Sequence, residues 1–109
     1  MKNSIAILTT ASTKIEADQI ANKLVQEKLA ACVNIIPNIK SIYRWKDKIN
    51  TDSEFLLIIK TIKSVENKVI QCIKKHHSYD TPEIISFPIT GGDKRYLDWM
   101  YDSVIQNQH

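Results

Sequence analysis

Glycine is nearly missing from these 109 residues: the only two are the adjacent Gly91 and Gly92. That excludes G-x-G-x-x-G and the P-loop, because both need several glycines to bring backbone amides onto phosphate. Arginine is equally scarce, with 2 against 13 lysines. Arginine is the side chain suited to bidentate phosphate and guanine contacts, so the net charge of +3 is a weak argument for nucleic acid. No basic block exceeds two residues. No apolar run approaches the roughly 18 residues of a membrane helix. The two cysteines, Cys32 and Cys72, form no C-x-x-C pair and read as two buried, reduced thiols acting as small hydrophobes, with a disulfide the less favoured alternative. The start, "MKNSIAILTTAS", has one lysine ahead of its apolar residues and then turns strand-like. A secretory leader is therefore not expected, and the cytoplasm is the expected compartment.

What is present is a folding pattern. The hydrophobic fraction of 43% and charged fraction of 25% suit one globular domain over residues 1–109. "SIAILTT" (4–10) is short, β-branched and apolar, as a central strand should be. Thr13 and Glu16 have capping-box spacing. The helix they open should run to about Lys28, with Ile15, Ile20, Leu24 and Val25 inward and Glu16 toward water. "LAACVNIIPNIKSIYRW" is extended but carries Pro37, which cannot donate to a ladder, so it reads as an edge strand or a bulged one. "KDKINTD" reads as a hairpin turn and "SEFLLIIKTIK" as a proline-free central strand. Ser64 is placed to cap a second helix through about His76, with Val65, Val69, Ile70 and Ile73 inward. "EIISFPI" is a further strand, with Pro88. After Gly91-Gly92, Asp93 should cap a last helix with Tyr96, Leu97, Met100 and Val104 inward.

The order β-α-β-β-α-β plus a terminal helix is an α+β fold, the split βαβ of ferredoxin-like proteins. There the second and fourth strands are the edges, and those are the two that carry proline. From Ala31 to Trp45 the extended chain would reach roughly 50 Å at 3.3 Å per residue. A domain of this size has a radius of gyration of about 13 Å. The long hairpin must overhang the core or bend at Pro37, and its far end bears Ile42, Tyr43, Trp45 and Ile49. Apolar residues there favour cover by another subunit.

Taken together, "KLVQEKLAACVNIIPNIKSIYRWKDKI", "EFLLIIKT", "HHSYDTPEI" and "GGDKRYLDWM" resemble the CutA divalent-cation tolerance proteins from nearly end to end. The resemblance implies a ferredoxin-like homotrimer built by edge-strand pairing, a fold relationship to PII signalling proteins, and a link to copper and other divalent ions. Some members bind copper through a cysteine on the first strand and a histidine pair after the second helix. Carried over, the pair is His76 and His77, and the cysteine position falls at Thr9. A threonine hydroxyl is a weak, neutral ligand beside a thiolate. The set left, His76 and His77 with Glu83, suits a loose contact with Cu²⁺ or another divalent cation rather than a closed site.

Each candidate also has a structural reading. Histidines at a helix C-terminus interact favourably with its dipole and bond the last carbonyls. Glu83 at a strand start can be a solvated carboxylate paired with Lys60. The Gly91-Gly92 turn leads into a helix end already occupied by Asp93. Tyr43, Trp45, Tyr96, Trp99 and Tyr101 serve either packing or a pocket at subunit junctions. No Ser-His-Asp pattern and no H-E-x-x-H appears, so no enzyme is expected. The leading function is a cytoplasmic homotrimer in copper-type metal tolerance. The alternative is a PII-like sensor or adaptor whose inter-subunit clefts, lined by Thr9, Lys60 and Tyr79, hold a small anion or a partner protein. An RNA-binding module ranks last, because "EFLLIIKTIK" lacks the Gly-aromatic alternation of RNP1.

Overall fold

A computed structural model describes residues 3–106; Met1 and Lys2, part of the leader argument, lie outside them. The elements run β1 (Ser4–Ala11), α1 (Lys14–Gln26), β2 (Cys32–Trp45), β3 (Lys48–Ile62), α2 (Glu66–His76), β4 (Ile84–Pro88) and α3 (Lys94–Ser103). The four strands form one antiparallel sheet in the order β2-β3-β1-β4. This is the ferredoxin-like arrangement, with the proline-bearing strands at both edges, where a missing N–H leaves no ladder bond broken.

The core follows from side-chain alternation. Ile5, Ile7, Leu57 and Ile59 point to one face of the sheet, where they meet Ile20 and Leu24 of α1 and Val69 and Ile73 of α2. Lys60 lies on the other face, and its ammonium stands over the Tyr96 ring of α3, 5.7 Å from the centroid. That places α3 over part of the second face, with Met100 buried beneath it. Pairing Leu8 with both Ile58 and Ile85 leaves an apolar strip on the rest of it.

Local chemistry explains where each element begins and ends. The Thr13 hydroxyl accepts from Glu16 N–H at 3.1 Å, and the Asp93 carboxylate accepts from Tyr96 N–H at 3.0 Å; both caps are as expected. In β2, Ile36 pairs with Leu56 but Ile39 with Glu54, so Pro37 and Asn38 together oppose Phe55. This bulge bends the ribbon, and Asn38 takes φ 60° within it.

Several expectations need correcting. Ile15 is 72% exposed: at about 100° per residue it lies on the side of α1 opposite Leu24. Val25 is exposed as well, and Glu16 is buried rather than solvated. The helix stops at Gln26, and Lys28 then turns left-handed at φ 59°. Ser64 caps nothing. It sits inside a 3₁₀ turn, Lys63–Val65, whose tighter winding carries Val65 into the core, and α2 begins without a side-chain cap. Ile70 is only half-buried and Tyr96 is exposed, its ring standing beneath the Lys60 ammonium rather than in the core. The hairpin turn is just Lys46-Asp47, both at positive φ (52° and 62°), the backbone twist that a two-residue connection demands.

The ribbon overhangs. The molecule measures 44 × 26 × 22 Å with a radius of gyration of 14.5 Å, above the roughly 13 Å of a compact chain this size. At its tip Ile42 is 66%, Trp45 58% and Ile49 70% exposed, with Tyr43 also exposed.

Candidate functional site

Where α2 ends, the two histidines take opposite roles. α2 closes at His76, and His77 is already extended. Successive residues at that break point in different directions. The His77 imidazole is wholly buried, with 0% of its side chain exposed. Its Nε2 lies 2.7 Å from the Thr10 carbonyl oxygen, and its Nδ1 accepts from Tyr79 N–H at 3.0 Å. A carbonyl only accepts and a backbone N–H only donates, so the ring proton sits on Nε2 and both nitrogens are engaged.

Glu16 completes the arrangement. Ser78 N–H donates to its Oε2 at 2.5 Å, and the Ser78 hydroxyl to Oε1 at 3.3 Å. The carboxylate stands 3.8 Å from His77 Nδ1. A buried carboxylate is tolerated here because it has donors to accept from. The turn 77–79 is thereby tied to β1 through Thr10 and to α1 through Glu16.

Tyr79 extends the network toward the ribbon. Its ring lies 4.9 Å from that of His77, and its hydroxyl donates to the buried Glu54 at 3.2 Å. Burial raises the Tyr79 phenol above its usual range, and Glu54 adds to this. Tyr43 donates in the same way to Asp52. That hydrogen bond, ahead of partial burial, pushes its phenol up to about 12.

His76 is different. It is half-buried, and its Nδ1 lies 2.9 Å from the Cys72 carbonyl oxygen and 3.9 Å from the Cys72 sulfur, one turn back. Donation to that carbonyl puts the proton on Nδ1 and leaves the Nε2 lone pair free. The ring borders an open groove between α1 and α2.

The histidine pair and Glu83 therefore do not converge within one protomer. Glu83 is exposed and makes no ion pair among the described residues; Lys60, its expected partner, meets Tyr96 instead. No group of three or more His, Cys, Asp or Glu is placed to hold a metal ion among the described residues. The donor set of one chain does not fit a closed divalent-ion site, because His77 has no lone pair to give. Thr9 is fully buried on the core side of β1, and its hydroxyl has no partner among the described residues. Trp99 is exposed beside Tyr96, their centroids 5.4 Å apart.

Sequence reasoning missed Glu16 and Glu54. Glu16 had a signal, its capping-box position, but the partner it chose is 62 residues away. Glu54 had none, since one acid in a strand says nothing about a tyrosine 25 residues on.

Fold and site together define a small α+β protein of ferredoxin-like topology with an overhanging β-ribbon and a histidine turn locked to its first strand. Residues 5–103 match the family model of the CutA1 divalent ion tolerance protein, and the chain belongs to that family. It is 47% identical to the chloroplastic protein CutA of Arabidopsis thaliana over 92% of this chain, and spans 55% of that relative's length. Among solved structures, CutA1 from Oryza sativa superposes with a TM-score of 0.94 at 42% identity, covering 97% of each chain. The periplasmic divalent cation tolerance protein CutA from Archaeoglobus fulgidus gives 0.90 at 43% identity, covering 94% of this chain and 99% of that one.

These relatives correct the cytoplasmic expectation. One is named chloroplastic and another periplasmic, so the same folded unit occurs in other compartments. The physical reason is that the packing and polar networks of the domain carry no address. Among the described residues no helix is long and apolar enough to cross a membrane.

Proposed function

We propose that residues 1–109 act as one CutA-like unit in divalent-cation tolerance, assembled as a homotrimer and without catalysing a reaction. The observation that carries the assembly is the ribbon tip, where Ile42, Trp45 and Ile49 stand in water far from their own core. A second copy pairing along the open edge of β2 would bury them. Ile85 and Phe87, exposed on the uncovered sheet face, extend the apolar surface available to it. Tyr43, Trp45 and Trp99 are the aromatic anchors of such an interface.

Ion contact in this reading is weak. Of His76, His77 and Glu83, His76 has a ring nitrogen to offer from within one protomer. Glu83 joins it only across a subunit seam. Cu²⁺ or Zn²⁺ held by a single imidazole keeps water in its other positions. The reading is supported by the family's name and by the free Nε2 of His76.

A second reading, a PII-like sensor or adaptor, draws on Lys60 above Tyr96 and on exposed Trp99. A cation beside two aromatic faces suits a small anion or a partner protein lodged between protomers.

Light scattering at micromolar concentration should give three times the protomer mass; a monomer overturns the assembly. Calorimetric titration with Cu²⁺ and Zn²⁺ should release heat with the native chain and much less with His76→Ala. No heat with either ion overturns the metal reading.

A further inference from the structure

On the sheet face opposite Lys60, α1 and α2 lie side by side and leave a furrow between them. It consists of two depressions of about 610 and 510 Å³ that share Lys23 and His76. One reaches the exposed Ile15 and the other the exposed Ile105. Ile105 is fixed at its end of the furrow because its N–H donates to the Lys28 carbonyl at 2.7 Å. Beside it, buried Leu29 and Cys72 give the furrow an apolar floor.

Charge is distributed unevenly between the two walls. Asp18 and Glu27, the acids of the α1 wall, are each held by the lysine four residues back, Lys14 at 2.7 Å and Lys23 at 2.9 Å. Lys68 and Lys75 on the α2 wall are exposed and enter no ion pair among the described residues. Being two helical turns apart, they stand on one face with about 10 Å between them. The furrow therefore offers an isoleucine at each end and two unneutralised cations along one side.

We propose that this furrow is a docking surface for a short, acidic, amphipathic segment of a partner protein. From Ile15 to Glu27 the α1 wall covers about 18 Å at 1.5 Å per residue, the span of a helix of about a dozen residues. An aliphatic side chain near each end of that segment covers Ile15 or Ile105, and carboxylates two turns apart face Lys68 and Lys75. The apolar anchors supply affinity, and the charges set register and exclude wrong partners. A second copy of this chain does not suit the furrow, because it carries the same net charge of +3. Nucleic acid does not suit it either: two lysines on one helix wall cannot follow a phosphate backbone, and no arginine lines the furrow among the described residues. The homotrimer read above uses the β2 edge and the opposite sheet face, so it would leave this surface in water.

The test uses the full chain in buffer containing a metal chelator. The probe is a fluorescein-labelled synthetic peptide of a dozen residues, glutamates with leucines at helical spacing. Fluorescence anisotropy should show saturable binding that weakens as salt rises. Lys68→Glu/Lys75→Glu should weaken it about tenfold or more, since each carboxylate then meets its own sign. Ile15→Ser should weaken it about fivefold through lost apolar cover. All three side chains are exposed, so folding is not at stake. Amide shifts of the native chain on adding peptide should centre on Ile15, Lys23, Lys68, Gln71, Lys75 and Ile105. Shifts centred on the ribbon tip or on Tyr96 and Trp99, or undiminished binding by the double variant, overturn the inference. Equal binding of a leucine-free glutamate peptide or of an oligonucleotide of the same charge overturns it too, as does no binding at millimolar peptide. With the chelator present in every arm, none of these results bears on the divalent-ion contact or on the homotrimer.

Discussion

Replacing each of the adjacent histidines in turn should produce two very different proteins. For His77→Ala, the fully buried ring leaves a cavity, at about 2–3 kcal/mol for a side chain of this size. Its two hydrogen bonds, to the Thr10 carbonyl and from Tyr79 N–H, contribute about 1 kcal/mol each. The expected loss is about 4–5 kcal/mol, a large part of the 5–15 kcal/mol that holds a typical domain together. His77→Gln keeps an amide N–H near the position of Nε2 and loses the acceptor for Tyr79, so it should cost about half as much. His76→Ala removes one hydrogen bond from a half-buried ring and should cost about 1 kcal/mol. Urea unfolding at one fixed protein concentration gives all three values, the fixed concentration being needed wherever assembly adds to stability. If His77→Ala proved no more damaging than His76→Ala, the assignment of His77 to the architecture would be refuted, and the pair would again have to be treated as one site.

Three further outcomes are expected. Thr9→Val should stabilise the chain by about 1 kcal/mol in the same assay, since it replaces a buried hydroxyl that has no partner among the described residues by a methyl group of the same shape; a destabilisation would mean that the hydroxyl is satisfied. In an alkaline titration followed by tyrosine absorbance, Tyr43 should ionise only near its raised value of about 12, and Tyr79 also later than a free phenol. Because both values are raised in the folded state, their contribution to stability is complete below pH 10 and lost as pH climbs through the folded values; Asp52→Asn should bring Tyr43 back toward 10. The double substitution Lys46→Asn/Asp47→Gly should raise stability by about 1 kcal/mol, because both positions have positive φ and these residues adopt it with less strain; a loss would show that the tip needs its charges.

The parts legible in the sequence were those governed by local rules. Proline in two of four strands named the sheet edges, because a missing donor is tolerated there and nowhere else. Thr13 and Asp93 marked helix starts, because an orphan amide three residues on needs an acceptor. The length and greasiness of 31–49 announced an overhanging ribbon, because strand rise per residue is constant. Where local rules compete, the reading slipped. Ser64 looked like a cap, but burial of Val65 imposed a tighter turn, and Ile15 looked inward until the rotation of α1 about Leu24 turned it outward.

By itself, then, the sequence determined the strand order, the edges, the caps of α1 and α3 and the family, since each depends on the geometry of neighbouring residues or on motifs read in order. Only the tertiary structure decided what the charged and titratable groups do. Glu16 turned from solvent to Ser78, His77 spent both nitrogens on Thr10 and Tyr79, and His76 was left facing Cys72. Those choices depend on which backbone amide or carbonyl arrives from dozens of residues away, and a desolvated donor must take whichever acceptor the packing brings to it.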